Sequence, residues 1–288
     1  MSYNISSALM GTSPSPHDLF RHLTTALSGV GRSFARLRRW SPQSVIAAVL
    51  LLTRPDHRTS YATTLTSLAE ESFRLLGWSG APTKSSLSVA RRTVPVATFR
   101  QALHRLVEHL SDLLPGSLRH HDDRRFIAVD ATSLVCPRSA TLLKHLSRPH
   151  VNPWVLAHYP RALVVVAFDV IRRLPLEWIL LPKGRGERTA MAPLLAGLRR
   201  NDVVILDRGY PARWLLESIL AHGVDVVMRM TSAKAGSWPE VQRFIASGAQ
   251  TAVITIALGH GKTADVRLIR RNPPRGRPST TAARSWSC

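Results

Sequence analysis

Residues 201–211 read Asn-Asp-Val-Val-Ile-Leu-Asp-Arg-Gly-Tyr-Pro, and this stretch decides the fold class. Its four consecutive apolar residues, 203–206, predict a buried strand that ends abruptly at the acid Asp207. Gly209 then allows the backbone to turn, and Pro211 suits the first turn of a helix. A buried strand that delivers a carboxylate to its C-terminal end, beside a helix start, is where open α/β sheets carry their chemistry. The stretch therefore predicts an α/β protein with Asp207 at a functional site.

A second stretch, residues 124–132, has the same order of residue types. Two arginines are followed by four apolar residues and then by Asp130. Two strand-end aspartates favour a pair that holds a divalent cation, and Mg²⁺ prefers oxygen ligands while keeping some of its waters for substrate phosphates. The simpler interpretation is that each aspartate caps an ordinary turn or helix. Because two metal ions about 4 Å apart can activate an attacking hydroxyl and stabilise a leaving oxygen, the pair predicts phosphodiester chemistry.

The charge balance points to a polyanionic partner. Lys and Arg number 39 against 18 Asp and Glu, which gives a formal net charge of +21. Such a surplus attracts phosphate backbones and speeds encounters with them. Apolar residues make up 44% of the chain, enough for packed cores, so the chain is not a disordered basic tail. A basic ribosomal-type or membrane-surface protein is the alternative that the charge alone leaves open.

Several classes of protein are excluded by the composition. The two cysteines, Cys136 and Cys288, provide neither a disulfide framework nor a cysteine-based zinc site. Residues 1–13 have neither the basic start nor the apolar core of a signal peptide. The longest apolar stretches, residues 45–52 and 162–168, are far shorter than the ~20 residues that cross a bilayer. We therefore expect a cytoplasmic, nucleoid-associated protein with no membrane partner.

Residues 1–118 predict an all-helical, DNA-binding domain. The clearest helix spans residues 96–114, with apolar residues at spacings of 3, 4 and 7 along one face, and a short basic helix precedes it at 83–92. Residues 32–40 interleave arginines with aromatic residues, as a DNA-facing surface does. A solvated helix face is the simpler interpretation of any one of these arginines. The candidate DNA contacts in this domain are Arg36, Arg38, Arg39, Lys84, Arg91 and Arg92.

Residues 119–232 predict a catalytic core with the order β-β-β-α-β-α-β. The gaps around its fourth strand are long enough for parallel crossovers, which need a dozen or more residues. In a ribonuclease-H-like mixed sheet of this order, with flanking helices, the first and fourth strands are parallel neighbours. Their ends then bring Asp130 and Asp207 together at one edge of the sheet. The predicted elements are strands at 126–129, 163–168, 176–181, 203–206 and 224–228, and helices within 187–200 and at 211–222.

Residues 233–288 read as an incomplete β-rich insertion followed by a basic tail. Residues 251–258 and 266–269 predict a hairpin, but no acid follows Asp265 and no apolar period continues beyond it. Two-metal chemistry normally uses a third acid. Asp169, at the end of the second predicted strand, is one candidate, and Glu217 and Glu240 are weaker ones because both suit helix surfaces.

Four segments together carry a resemblance to a known family. They are Val129-Asp130-Ala131-Thr132-Ser133-Leu134, Gly186-Glu187-Arg188 with the leucine-rich segment after it, Leu206-Asp207-Arg208-Gly209-Tyr210, and Gly223-Val224-Asp225-Val226-Val227-Met228-Arg229-Met230. In this order they resemble the insertion-sequence DDE transposases of the IS-four type. The resemblance covers about residues 83–270 and is specific mainly through the Asp-Arg-Gly-Tyr box.

The resemblance implies a ribonuclease-H-like core that uses Mg²⁺, with Mn²⁺ as an alternative. It implies cut-and-paste strand transfer of double-stranded DNA at the terminal inverted repeats of a bacterial insertion sequence. By position, Asp130 and Asp207 match the first and second catalytic acids, and Arg208 is a candidate DNA contact. A homodimer on DNA is left open.

The third acid of the resembled family lies in a Tyr-x2-Arg-x3-Glu-x6-Lys box on a later helix, after a β-rich insertion. No tyrosine follows Tyr210 here, so that box is not in this sequence. We therefore expect a truncated chain that stops inside the insertion, with residues 276–288 lacking regular structure. Two alternatives remain: a catalytically inactive DNA-binding remnant, and a ribonuclease-H-type nuclease that completes its site with Asp169 or Glu217.

Overall fold

A computed structural model describes residues 25–28, 40–52, 65–66, 82–113, 124–146, 159–182, 186–231, 238–270 and 286–287. The chain divides into two compact units, Met1–Gly116 and Ser117–Cys288. None of the described helices combines the length and the apolar character that crossing a bilayer requires.

The first unit has three described helices of two turns or more: α1 (Pro42–Leu52), α2 (Lys84–Thr93) and α3 (Val96–Leu113). Thr83 begins α2 as an N-cap, because its hydroxyl accepts a hydrogen bond from the backbone N–H of Ser86 at 3.2 Å. The helices pack through a buried cluster that includes Trp40, Val45, Leu87, Ala90 and Val94.

The second unit is built on a mixed sheet in the order β3-β2-β1-β4-β5-β8-β7-β6. Strands β1, β2 and β3 are antiparallel neighbours, whereas β1, β4 and β5 run parallel. This confirms the predicted α/β fold with a mixed sheet and flanking helices. The strands are β1 (Phe126–Val135), β2 (Arg161–Asp169), β3 (Leu174–Pro182), β4 (Val203–Leu206), β5 (Asp225–Met230), β6 (Thr251–Ala257), β7 (Thr263–Arg270) and β8 (Trp286–Ser287).

The flanking helices cover a continuous apolar core. Ile127, Val165, Leu206 and Met228 from the strands are buried in one cluster with helix residues such as Leu215. The helices are α4 (Ala140–Leu146), a 3-10 helix (Glu187–Ala190), α5 (Met191–Leu195), α6 (Arg213–Ala221) and α7 (Pro239–Ala246).

The predicted helix within 187–200 is shorter than expected and has two parts. A single 3-10 turn, Glu187–Ala190, leads into α5, which ends at Leu195. Pro193 explains the change, because proline donates no backbone hydrogen bond and crowds the preceding turn, so it fits only near the start of an α-helix. The sequence pattern also did not predict α4.

The start of the β1–β4 pair is fixed by a buried ion pair. Arg125 donates to Asp202 through Nε at 2.8 Å and a terminal nitrogen at 2.5 Å, with the two side chains 10% and 2% exposed. The backbone N–H of Val203 also donates to the carbonyl of Arg125 at 2.8 Å. From there the parallel register runs from Phe126 opposite Val203 to Val129 opposite Leu206. The same contacts therefore set the level at which the parallel pairing of β1 with β4 ends.

The β6–β7 hairpin turns at His260 and Gly261, which both have positive φ angles. The predicted hairpin is present, with β7 beginning earlier than its apolar residues indicated. Trp286–Ser287 pairs with both β5 and β7, which joins the hairpin to the sheet through backbone hydrogen bonding. Most of the tail expected to lack regular structure lies outside the described residues.

Candidate active site where the β1–β4 pairing ends

Asp130 and Asp207 lie level with one another on neighbouring parallel strands. Each follows a residue of the last paired position, Val129 and Leu206, and both aspartates are exposed. The prediction that Asp130 ends its strand is wrong, because β1 continues to Val135 and Asp130 pairs with Val166 of β2 inside it. Only Asp207 directly follows the end of its strand. One oxygen of each carboxylate accepts a local backbone hydrogen bond, from Ala131 N to Asp130 and from Gly209 N to Asp207, both at 2.8 Å. Asp207 thus caps the turn, as the simpler interpretation of a strand-end aspartate predicts. This hydrogen bond uses only one of its two carboxylate oxygens.

Glu187 brings a third carboxylate to Asp207, from the first residue of the 3-10 helix. A Cβ atom added at Gly209 would lie 2.9 Å from Glu187 Oε2 and 3.1 Å from Asp207 Oδ1. The two carboxylate oxygens are therefore no farther apart than the sum of these distances, and the glycine leaves the space between them free of side-chain atoms.

The acids also form one electrostatic group. Partial burial raises the pKa of Glu187, and the charges of Asp207 and Asp130 raise it further, while Arg188 opposes them. Asp130 is therefore near enough to Glu187 for its charge to affect the pKa of Glu187. Sequence reasoning places Gly186-Glu187-Arg188 within the resemblance but assigns Glu187 no role, because nothing local in the sequence reveals this approach.

A cleft of about 330 Å³ opens beside the acids, lined by Leu163, Gly186, Glu187, Arg188 and Gly209. Arg188 Nε donates to the carbonyl oxygen of Gly209 at 3.0 Å, which fixes the guanidinium at the rim. Arg208, the predicted DNA contact next to Asp207, is exposed. The cleft therefore combines the carboxylate of Glu187 with the guanidinium of Arg188, which can contact phosphate.

Tyr210 lies beneath the acids and is fully buried. Within the described part of the chain, its hydroxyl has no hydrogen-bond partner. Burial raises the pKa of this phenol strongly, and Glu187, Asp130 and Asp207 raise it further, in that order. The hydroxyl therefore remains a neutral hydrogen-bond donor that faces negative charge.

The structure gives other roles to the three acids that the sequence offered as third members. Asp169 caps the β2–β3 turn, accepting from Ile171 N at 3.1 Å and Arg172 N at 3.0 Å. It pairs with Ile127, at the far end of β1 from Asp130.

Glu217 accepts from Lys262 Nζ at 2.8 Å, and Glu240 forms an ion pair with Arg213 at 2.9 Å. These contacts tie α6 to the β6–β7 hairpin and to α7. The expectation that one of Asp169, Glu217 and Glu240 joins the site is therefore not supported by their positions.

The donor chemistry of the acid pair suits a divalent cation. Carboxylate oxygens are the ligands that Mg²⁺ prefers, and the parallel register presents two of them at the same level. Across the residues that the structure describes, no three His, Cys, Asp or Glu side chains are already close enough together to coordinate a metal ion. The arrangement thus fits a cation at the pair, with any third protein ligand having to move toward it.

The predicted DNA contacts of the first unit are partly visible. Lys84, Arg91 and Arg92 are exposed on α2, which gives that helix a basic surface. Arg36, Arg38 and Arg39 lie outside the described residues. DNA binding by both groups stays a prediction.

Comparison with known proteins identifies the family. The Transposase DDE domain family model matches residues 121–278, more than half of the chain, and the chain belongs to this family. No curated protein sequence gives a significant match.

Among solved structures, the chain is similar to one described as a cryo-EM structure of a piggyBac transposase synaptic complex with hairpin DNA. The TM-score is 0.37 at 12% sequence identity, and the match covers 98% of this chain and 59% of that one. The present chain thus spans somewhat more than half the length of that chain.

Proposed function

We propose that this member of the DDE transposase family is the transposase of a bacterial insertion sequence of the IS-four type. It would bind the terminal inverted repeats of its element, cleave the DNA there and join the freed ends to target DNA, with Mg²⁺ or Mn²⁺ as cofactor. The observation that carries the proposal is the parallel register that sets Asp130 and Asp207 level, each directly after the last pair of residues that joins β1 to β4. The family match supports it, because the matched segment, residues 121–278, contains both acids.

A ribonuclease-H-like core is part of this proposal. The order β3-β2-β1-β4-β5, with three antiparallel strands followed by parallel ones, supports it. The net charge of +21 supports double-stranded DNA as the partner. We include a homodimer on DNA and a nucleoid-associated cytoplasmic location in the proposal.

Each residue of the site would have its own role in the reaction. Asp130 and Asp207 would hold the cation, which when bound activates the attacking oxygen and stabilises the leaving one. Arg188, at the cleft, and Arg208, next to Asp207, would contact backbone phosphates and fix the position of the strand. Hydrolysis would form a bond from a water oxygen to phosphorus and break the bond from phosphorus to the 3′ oxygen, which takes up a proton and becomes a free 3′-hydroxyl. The oxygen of that hydroxyl would then bond to a phosphorus of the target DNA, and the bond from this phosphorus to the target's own 3′ oxygen would break, which leaves a 3′-hydroxyl on the target strand.

A cleavage and joining assay with the full chain tests the proposal. The substrate is duplex DNA that spans each end of the element, taken from the DNA that flanks the coding sequence. Cleavage at the element boundary and transfer to a plasmid should require Mg²⁺ or Mn²⁺ and should be lost in Asp130→Asn and Asp207→Asn. Asp225→Asn is the matched control, because Asp225 forms an exposed ion pair with Arg124.

Gel-shift binding of the same DNA separates the alternatives. Both site variants should bind as wild type does, since the change is confined to the acids. Specific binding without any cleavage by the wild-type chain would favour an inactive DNA-binding protein. Cleavage that survives in either site variant would refute the assignment of the acids.

A further inference from the structure

Glu187 approaches the acid pair from a segment of its own, ahead of Asp207 in the chain. It therefore differs from the third acid that the family resemblance places on a helix after the insertion. Oε2 of Glu187 and Oδ1 of Asp207 both lie near the Cα of Gly209, 2.9 Å and 3.1 Å from the position that a Cβ atom would take there. The question is whether this third carboxylate serves the site or merely lies near it.

Gly209 connects Asp207 to Arg188, the chain neighbour of Glu187, through its own backbone. Its N–H donates to Asp207 Oδ1 at 2.8 Å, and its carbonyl accepts from Arg188 Nε at 3.0 Å. A side chain at position 209 would displace Glu187, because its Cβ would lie 2.9 Å from Oε2. The Asp-Arg-Gly-Tyr turn thus keeps Glu187 against Asp207, and the glycine is what makes the approach sterically allowed.

Tyr210 gives independent evidence that this pocket binds a ligand. Its side chain is fully buried, and within the described residues its hydroxyl has no hydrogen-bond partner. A buried hydroxyl without a partner destabilises the fold, since it has lost its hydrogen bonds to water. Three carboxylates near a buried donor, with Arg188 as the opposing cation, form a negatively charged pocket that a small cation or its bound water would neutralise.

We propose that Glu187 is a third protein ligand of the divalent cation held by Asp130 and Asp207. This inference rests on the proposed function of the acid pair. The three side chains do not form a closed ligand set as they stand, so Glu187 closes onto the cation when it binds. A glutamate has the rotatable bonds for this movement.

The test measures Mn²⁺ binding to the full chain by electron paramagnetic resonance of free Mn²⁺, after removal of metal with EDTA and desalting. Glu187→Gln should weaken Mn²⁺ binding by roughly tenfold or more, in the range seen when a supporting group of a metal site is lost. Glu108→Gln is the matched control, because Glu108 is exposed on α3 in the other unit. It removes the same charge and should bind Mn²⁺ as wild type does.

Glu187→Asp separates direct ligation from a general effect of charge. The shorter side chain keeps the negative charge but loses the reach, so a direct ligand predicts binding weakened at least about threefold by this change as well. Wild-type affinity in Glu187→Asp together with weak binding in Glu187→Gln would overturn direct ligation. Circular dichroism of each variant shows that the fold is kept, and Glu187→Asp serves alone if Glu187→Gln does not fold.

Asp130→Asn and Asp207→Asn distinguish failure of the inference from failure of the proposed function. If both lose Mn²⁺ binding while Glu187→Gln and Glu187→Asp bind as wild type does, the acid pair stands and Glu187 is not a ligand. If both aspartate variants bind Mn²⁺ as wild type does, the proposed function itself fails. Weakened binding in all four variants, with Glu108→Gln unaffected, supports the inference.

Discussion

Asp202→Asn should destabilise the second unit more than any exposed substitution of the same kind. Asp202 is 2% exposed and accepts two hydrogen bonds from Arg125, which is 10% exposed, and a third from the backbone N–H of Arg199 at 2.6 Å. Asparagine keeps the shape of the side chain but leaves the Arg125 guanidinium buried without a counter-charge. Breaking one half of a buried ion pair costs about 3–5 kcal/mol, a large part of the ~5–15 kcal/mol that stabilises a typical domain.

Urea unfolding followed by far-UV circular dichroism measures this cost. With a dependence of about 2 kcal/mol per molar urea, the midpoint of the second unit should fall by roughly 1.5–2.5 M. The control is Asp225→Asn, which breaks the Arg124–Asp225 pair, whose side chains are 46% and 60% exposed. An exposed pair contributes about 0–1 kcal/mol. Equal losses in the two variants, or a loss below about 1 kcal/mol in Asp202→Asn, would refute the argument that this pair fixes the β1–β4 register.

Three further predictions concern the acids and the basic helix. Gly209→Ala places a Cβ 2.9 Å from Glu187 Oε2 and 3.1 Å from Asp207 Oδ1. It should therefore weaken Mn²⁺ binding while changing the unfolding free energy by less than about 1 kcal/mol, because only the ends of carboxylate side chains must move. A calorimetric titration and a urea melt check both. In EDTA, Glu187→Gln should raise the unfolding midpoint near neutral pH, because the raised pKa of Glu187 means that its charge destabilises the folded state. The gain should shrink as the pH falls through the raised pKa and should be lost below the ordinary value of 4.5, where glutamate is neutral in both states. A gain that is independent of pH would contradict this. Replacing Lys84, Arg91 and Arg92 by alanine should reduce the log–log salt slope of DNA binding by ~0.9 for each phosphate that is no longer neutralised, and an unchanged slope in filter binding would remove α2 from the DNA surface.

The sequence was most informative where a strand is fully buried and ends on a charge. The apolar run at 203–206 and the matching run before Asp130 predicted β4, the beginning of β1 and their parallel pairing, because burial leaves these strands few alternative positions. β1 continues to Val135 although its second half is exposed. Backbone hydrogen bonding to β2 continues β1 beyond its apolar residues. A pattern of apolar residues in the sequence does not predict such backbone pairing.

Glu187 shows what the sequence could not reveal about the site. Its approach to Asp207 depends on how the 3-10 helix packs, since Ala190, Met191 and Leu194 are buried in the core beneath the sheet. Such packing brings together segments that are separate in the sequence. Neither the spacing of apolar residues nor local helix and strand propensity predicts it. Asp169 looked equivalent because it also ends a strand, but β2 runs antiparallel to β1, which carries its end to the opposite edge.

Anomalous X-ray diffraction from a crystal of the full chain soaked in Mn²⁺ tests the central claim most directly. The account predicts an anomalous peak where the β1–β4 pairing ends, within about 2.1–2.2 Å of a carboxylate oxygen from both Asp130 and Asp207. The peak should disappear in crystals of Asp130→Asn grown and soaked in the same way. Mn²⁺ bound by only one of the two aspartates, or bound elsewhere while this edge of the sheet stays empty, would contradict the account.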